Sequence, residues 1–185
     1  MGLDANPGQV LAWFNASSVV HEGKRWMAYR TECKRWFLWS RISIVQINHE
    51  MHPIPGTNKL LPLHTRFDGW GAEDPKMFVF NGEMYVSYGD GYRMLLAHLD
   101  SNGDVVRSGS IPANIVDMNP PQAHPREKNW GFFECDGRLF CQQEVAPLVT
   151  WEFDPKSWRV VNKWECPWKW KTAFGTRFNG ASPPV

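Results

Sequence analysis

DPKMFVFNGEMYVSYG, residues 74–89, is the stretch that decides the fold of this 185-residue chain. Asn81-Gly82 at its centre is a strong type I′ turn signal, because both central residues of that turn need a positive φ. The short apolar segments on either side of the turn are typical of two antiparallel strands. The stretch therefore predicts a β-hairpin.

The hairpin pattern occurs three times along the chain. NASSVVHEGKRWMAYR from Asn15 and NWGFFECDGRLFCQQE from Asn129 align with it, each with a glycine eight residues after its first position. The three glycines, Gly23, Gly82 and Gly137, are 59 and 55 residues apart. A third strand follows each hairpin, and a fourth follows in the second and third repeats. Four short antiparallel strands per unit at a fixed period are typical of β-propeller blades, whereas a β-sandwich lacks this recurrence.

We therefore expect an all-β chain that forms one partial β-propeller over residues 1–185. Its blades are predicted at about residues 12–65, 72–112 and 127–165, with the first strand of a fourth at 175–185. Propellers close with about four to eight blades. The chain is thus expected to be incomplete, with the ring closed by further C-terminal blades or by self-association.

Composition limits the expected partners and location. The net charge is +1, so neither nucleic acid nor an anionic membrane is an expected partner. No segment approaches the roughly 18 apolar residues of a membrane span, and no signal peptide is recognised, which predicts a cytoplasmic location. The 4 cysteines lack CxxC spacing and a histidine-rich partner pattern, so no metal site and no cofactor are expected.

Tryptophan is the unusual feature of the composition, with 11 residues in the chain. Large rings mostly fill cores, although exposed flat rings also stack on the C–H faces of sugars. Tyr88 and Trp130 are candidates for sugar stacking, and a core position is the alternative for each.

Polar residues gather where the first strand of each repeat begins. In a propeller these strands line the central channel, so residues distant in sequence converge at its mouth. One or two such residues are explained as strand caps, whereas their recurrence favours a site. They are Asn15, Ser17 and Ser18 in the first repeat, Glu73, Asp74 and Lys76 in the second, Glu127, Lys128 and Asn129 in the third, and Arg177, Asn179 and Ser182 beyond it.

Several of these segments resemble glycoside hydrolase family 130 and its relatives: FNASSVV, WMAYR followed by RISIVQI, GAEDPKMFVFNGEMYVSY, EKNW and NGASPPV. The most specific piece is Glu73-Asp74-Pro75, which is similar to the EDPR of that family, although Lys76 replaces its arginine. The family contains β-mannoside phosphorylases and hydrolases, with related mannosyltransferases, on a five-bladed propeller. The resemblance implies action on β-mannosides with inversion, by phosphate or water.

The resemblance also implies roles for individual residues. Asp74 matches the general acid, which protonates the glycosidic oxygen through a hydroxyl of the bound mannose. Phosphorolysis needs several cations to hold inorganic phosphate, the expected co-substrate. The expected substrate- and phosphate-binding residues are Asn15, Ser17, Arg30, Lys76, Arg93, Lys128, Asn129 and Arg177.

Two other functions stay open on the sequence alone. One is a non-catalytic propeller that binds glycans, and the other is a mannosyltransferase that uses a nucleotide sugar such as GDP-mannose. In each case the expected partner is an oligosaccharide or glycan.

Overall fold

The described part of the chain consists of three four-stranded antiparallel sheets. The computed structural model describes residues 10–33, 40–65, 71–90, 93–111, 130–145 and 148–166. The all-β prediction is confirmed, and the predicted strand at 175–185 lies outside the described residues. Within the same ranges there is no helix long and apolar enough to cross a membrane.

Each sheet is built from four consecutive strands paired in sequence order. The first sheet contains β1 (Val10–His21), β2 (Lys24–Cys33), β3 (Ser40–Ile47) and β4 (Lys59–Leu60). The second contains β5 (Glu73–Phe80), β6 (Glu83–Gly89), β7 (Met94–Leu99) and β8 (Val105–Ser110). The third contains β9 (Gly131–Cys135), β10 (Arg138–Val145), β11 (Leu148–Asp154) and β12 (Arg159–Cys166). The fourth strand of the first repeat, which the sequence pattern defines poorly, is the two-residue β4.

The three predicted hairpin turns have the backbone that a type I′ turn requires. Positive φ at both central residues matches the right-handed twist of the two strands that the turn joins. The angles are 48° and 73° at Glu22-Gly23, 50° and 74° at Asn81-Gly82, and 50° and 69° at Asp136-Gly137.

The first strands of the three sheets lie next to one another. β1 contacts β5, and β5 contacts β9, although each forms its hydrogen bonds within its own sheet. In each sheet the first strand is therefore the one that contacts the first strand of a neighbouring sheet. The beginnings of β1 and β5 are brought together by this packing.

The two middle strands of the second sheet, β6 and β7, are buried on both faces. One set of the sheet's side chains packs with the first sheet and the other with the third sheet, which makes β6 and β7 nearly continuous apolar segments rather than alternating ones. Met77, Val86 and Leu95 belong to the first core, and Phe78, Tyr85 and Leu96 belong to the second.

Trp26 of β2 packs the first sheet against the turn between β7 and β8. The indole is 1% exposed and lies against Gly103, whose φ is +79°. A Cβ at Gly103 would lie 3.0 Å from Trp26 Cζ3 and 3.1 Å from Cη2. Glycine is therefore favoured here both by the backbone conformation and by the close approach of the ring.

Polar contacts support the same packing. Lys59 Nζ lies 2.8 Å from both carboxylate oxygens of Asp104 and 3.0 Å from the Asn102 carbonyl oxygen. Between the second and third sheets, the Arg107 guanidinium lies 3.9 Å from the centroid of the Trp158 ring. At the first interface Trp26 contacts the turn between β7 and β8 of the second sheet. At the second interface Trp158 of the third sheet contacts Arg107 of β8.

We expect Gly103→Ala to lower the free energy of unfolding by about 2–3 kcal/mol, because it combines backbone strain with a clash against Trp26. Gly137→Ala is the matched control, since Gly137 also has a positive φ (+69°) but no described heavy atom within 4 Å of the added Cβ. The control is expected to lose only about 1 kcal/mol. Urea unfolding of both variants measures the difference, and equal losses would contradict the packing role of Trp26.

Candidate functional site

β1 and β5 each contain a bulge at the same place in the repeat. The pairing with the next strand skips Asn15 and Ala16 in β1, and it skips Asp74 and Pro75 in β5. Asn15 and Asp74 have left-handed φ values of 53° and 55°. Asn and Asp tolerate this conformation better than most residues. Bulges and positive-φ residues inside strands are found preferentially at functional sites.

The two bulges meet through their side chains. Asn15 Nδ2 donates a hydrogen bond to Asp74 Oδ1, although the residues are 59 positions apart in sequence. The contact joins the first repeat to the second at the inner edge of the sheets. The structure thus brings together two of the polar residues that the sequence analysis expects to converge.

Arg30 of β2 completes this cluster. Its Nη1 lies 3.0 Å from Glu73 Oε2 and 3.5 Å from Asp74 Oδ1, and the three side chains are only 14–19% exposed. The guanidinium also lies 4.9 Å from the centroid of the Phe14 ring. Partial burial strengthens charge-assisted hydrogen bonds of this kind. Arg30 therefore fixes the positions of both carboxylates.

Ser17 lies directly after the bulge of β1 and contacts β5. Its Oγ accepts a hydrogen bond of 2.9 Å from the backbone N–H of Met77. This bond ties β1 to β5 just beyond the two bulges. The structure thus gives Ser17 a role in positioning Asp74 relative to Asn15.

Arg93 and Lys76 point to other neighbours. Arg93 Nη2 lies 2.9 Å from Asp90 Oδ2, and Arg93 Nη1 donates to Ser110 Oγ at 2.9 Å. Lys76 is on the same face of β5 as Phe78, which packs with the third sheet. Arg93 therefore has its described partners outside the cluster formed by Asn15, Arg30, Glu73 and Asp74.

Three predicted substrate- or phosphate-binding residues, Lys128, Asn129 and Arg177, lie outside the described residues. Asn129 is eight residues before Gly137, which is the position that Asn15 and Asp74 occupy in their repeats.

The predicted sugar-stacking residues lie in the core. Tyr88 is 0% exposed, and its hydroxyl donates to the His64 carbonyl oxygen at 2.7 Å. Burial raises the pKa of the Tyr88 phenol above its ordinary value of about 10. Trp130 is 3% exposed within the second core. This burial contradicts the predicted stacking role, because a ring that stacks on a sugar needs an exposed face.

Phe14 is not among the residues predicted from the sequence, and Glu73 is predicted only as one of the polar residues at the starts of the first strands. Phe14 pairs with Arg30 across β1 and β2, directly before the bulge. A signal for both residues is present in the sequence, because each immediately precedes the polar bulge residue of its repeat. Among the residues that the structure describes, no group of three or more His, Cys, Asp or Glu is placed to hold a metal ion.

No protein-family model matches this sequence, and no curated protein matches it with significant similarity. Solved glycoside hydrolases do match the structure. The BlXynB protein of Bacillus licheniformis, a GH43 member, has a TM-score of 0.58 at 14% identity, over 90% of this chain and 32% of its own. Zg3597 of Zobellia galactanivorans, a family 117 glycoside hydrolase, has a TM-score of 0.59 at 14% identity, over 86% of this chain and 47% of its own. The catalytic domain of the GH62 α-L-arabinofuranosidase of Coprinopsis cinerea has a TM-score of 0.55 at 14% identity, over 89% of this chain and 54% of its own.

These similarities show the fold. The neighbours are β-propeller glycoside hydrolases, and the described part of this chain has three four-stranded antiparallel sheets. The chain spans about a third to a half of the length of the three structures. Membership in family 130 stays a prediction from the sequence.

We expect Ser17→Ala to lower the free energy of unfolding by about 1–2 kcal/mol, because the partly buried N–H of Met77 loses its acceptor. Ser18→Ala is the matched control, since Ser18 is the exposed neighbour of Ser17 on the same strand, and it is expected to change stability by less than about 0.5 kcal/mol. Chemical denaturation compares the two variants. Equal effects would show that the Ser17–Met77 bond does not join the sheets.

Tyr88 is expected to make the folded state less stable at alkaline pH. The phenol ionises above about pH 10 in the unfolded chain, whereas burial keeps it neutral in the fold, so stability falls as pH rises past that value. Burial also raises the pKa of Tyr85, so Tyr88→Phe is expected to reduce the alkaline loss without abolishing it. Urea unfolding at about pH 8 and about pH 11 measures the loss of stability with pH in the wild-type protein and in Tyr88→Phe. An equal loss in both proteins would contradict the role of the Tyr88 phenol.

Proposed function

We propose that this chain carries the Asp74 site of a carbohydrate-active enzyme that acts on β-mannosides with inversion at the anomeric carbon, Asp74 acting as general acid. The observation that carries the proposal is the Asp74 carboxyl, held on a left-handed bulge by hydrogen bonds from Asn15 and Arg30.

The contacts of Asp74 suit proton donation. Its Oδ1 accepts from both Asn15 Nδ2 and Arg30 Nη1, while no described residue forms a hydrogen bond with Oδ2. Oδ2 is therefore the oxygen that carries the proton to a sugar hydroxyl and through it to the leaving oxygen. The two donors on Oδ1 stabilise the negative charge that remains after the proton has left, which lowers the energy of the transition state.

The choice of substrate has two supports. The fold similarity to glycoside hydrolases supports a glycan substrate in general. The finer choice of a β-mannoside rests on the resemblance of GAEDPKMFVFNGEMYVSY and the other quoted segments to family 130.

A second candidate function is glycan binding without turnover. The Arg30–Asp74 ion pair favours it, because the oxygens of a carboxylate paired with a guanidinium also accept hydrogen bonds from sugar hydroxyls. Both candidates place the same sugar at the same residues, and they differ only in whether a bond is cleaved.

Asp74→Asn separates the two candidates. Asn tolerates the left-handed backbone and keeps an acceptor for Asn15, so the fold is expected to be retained. If Asp74 donates the proton, release of 4-nitrophenol from its β-mannoside falls by about 100-fold or more. The affinity for methyl β-mannoside is expected to change by less than about fivefold.

Asp136→Asn is the matched control, because Asp136 also has a positive φ (50°) but lies in the exposed turn of the third sheet. It is expected to leave turnover unchanged. Binding of mannoside without turnover in the wild-type protein, unchanged by Asp74→Asn, would replace the enzymatic proposal with the glycan-binding one. Neither turnover nor binding of any mannoside would contradict both.

A further inference from the structure

Trp13 of β1 is the most exposed of the tryptophans whose burial the structure describes. The residue is 62% exposed, whereas four of the others are core residues at 0–3% exposure and one is 44% exposed. The core tryptophans are Trp26, Trp130, Trp151 and Trp158, and the partly exposed one is Trp164. A single exposed apolar residue is common on a protein surface, so the exposure of Trp13 gains meaning only from its position.

That position is beside the Asp74 cluster. Trp13 directly precedes Phe14, whose ring contacts the Arg30 guanidinium, and it is two residues before Asn15, which donates a hydrogen bond to Asp74. Two residues of extended chain span about 7 Å. A glycan with one unit at Asp74 can therefore reach Trp13 with its next unit.

The strand separates the ion pair from the indole. β1 is an edge strand of the first sheet and lies against β5. Phe14 pairs with Arg30, and Trp13 pairs with Thr31. Successive side chains of a strand alternate between its two sides, so Trp13 is on the opposite side of β1 from Phe14. A chain of sugars that crosses the edge of β1 thus meets polar groups on one side and an aromatic ring on the other.

The two sides have the chemistry that a glycan needs. The Asn15 amide and the Asp74 carboxyl form hydrogen bonds with hydroxyl groups, and a flat exposed ring stacks on the C–H face of a pyranose. The rings predicted for stacking, Tyr88 and Trp130, are buried. Trp13 has the exposed surface that those two residues lack.

From this placement we infer that Trp13 stacks on a second sugar unit, next to the mannose that binds at Asp74. The inference rests on the proposed function and narrows its substrate class to oligosaccharides or longer glycans. Trp13 takes no part in the proton transfer from Asp74. It determines specificity, because it adds affinity only when the substrate has a second sugar.

Calorimetric titration of the Asp74→Asn variant, in which the ligand stays intact, tests the inference. Methyl β-mannoside is compared with β-linked mannobioses of different linkage. The best-bound mannobiose is expected to bind about tenfold more tightly than methyl β-mannoside, the gain from one aromatic contact. Adding Trp13→Ala is expected to reduce this gain to less than about twofold, while the affinity for methyl β-mannoside changes by less than about twofold.

Two further variants control the result. Trp13→Phe keeps a flat ring and is expected to retain a gain of about threefold. Trp164→Ala is the matched control, since Trp164 is 44% exposed on β12 of the third sheet, and it is expected to leave the full gain.

Three results would overturn the inference. One is that no mannobiose binds more tightly than methyl β-mannoside, and another is that the gain survives Trp13→Ala. The third is that Trp13→Ala weakens both ligands equally, which would give Trp13 a structural role.

Failure of the proposed function is distinguishable from failure of the inference. If no mannoside binds, the proposed function is contradicted, and titration of the wild-type protein with cellotriose and xylotriose still tests Trp13, because stacking needs only the C–H face of a sugar. Binding that Trp13→Ala weakens would support the stacking role with another sugar. Absence of binding would overturn both proposals.

Discussion

The packing of the first sheet against the second is the constraint on which the rest of the structure depends. Trp26 fills the space over Gly103, and the Ser17–Met77 hydrogen bond aligns β1 with β5. Neither contact belongs to the hydrogen-bonded ladder of a sheet, yet together they set how the two inner strands lie. Because Asn15 and Arg30 belong to the first sheet and Asp74 to the second, the candidate site exists only when this interface is formed.

The bulges in β1 and β5 direct the polar side chains of Asn15 and Asp74 toward each other at this interface. A regular strand directs alternate side chains to its two faces, and in the second sheet both faces of β6 and β7 are packed with apolar side chains. A bulge with a left-handed residue changes the direction of one side chain without ending the strand. Asn15 and Asp74 have the same left-handed bulge in consecutive repeats, and Arg30 contacts the carboxylates of both Asp74 and Glu73.

The local sequence signals predicted the repeated sheets, because turn residues act over two positions and their spacing is read directly from the chain. Asn81-Gly82 and its two counterparts gave the hairpins, and the equivalent positions of Asn15 and Asp74 gave their proximity. The burial of Tyr88 and Trp130 could not be read in this way, because an aromatic ring has the same chemistry in a core and on a sugar. The partners of Arg93 and Ser17 depend on side-chain direction, which repeat spacing does not fix.

The central claim is that the sugar binds where β1 and β5 meet. A titration of the ¹⁵N-labelled protein with methyl β-mannoside, followed by backbone amide chemical shifts, tests it most directly. The account predicts that the shifts change around residues 14–17 and 73–77, where the Asn15–Asp74 contact lies. Changes confined to the other ends of the sheets, around the cleft of about 320 Å³ lined by Asn81, Arg107 and Lys156, would contradict it.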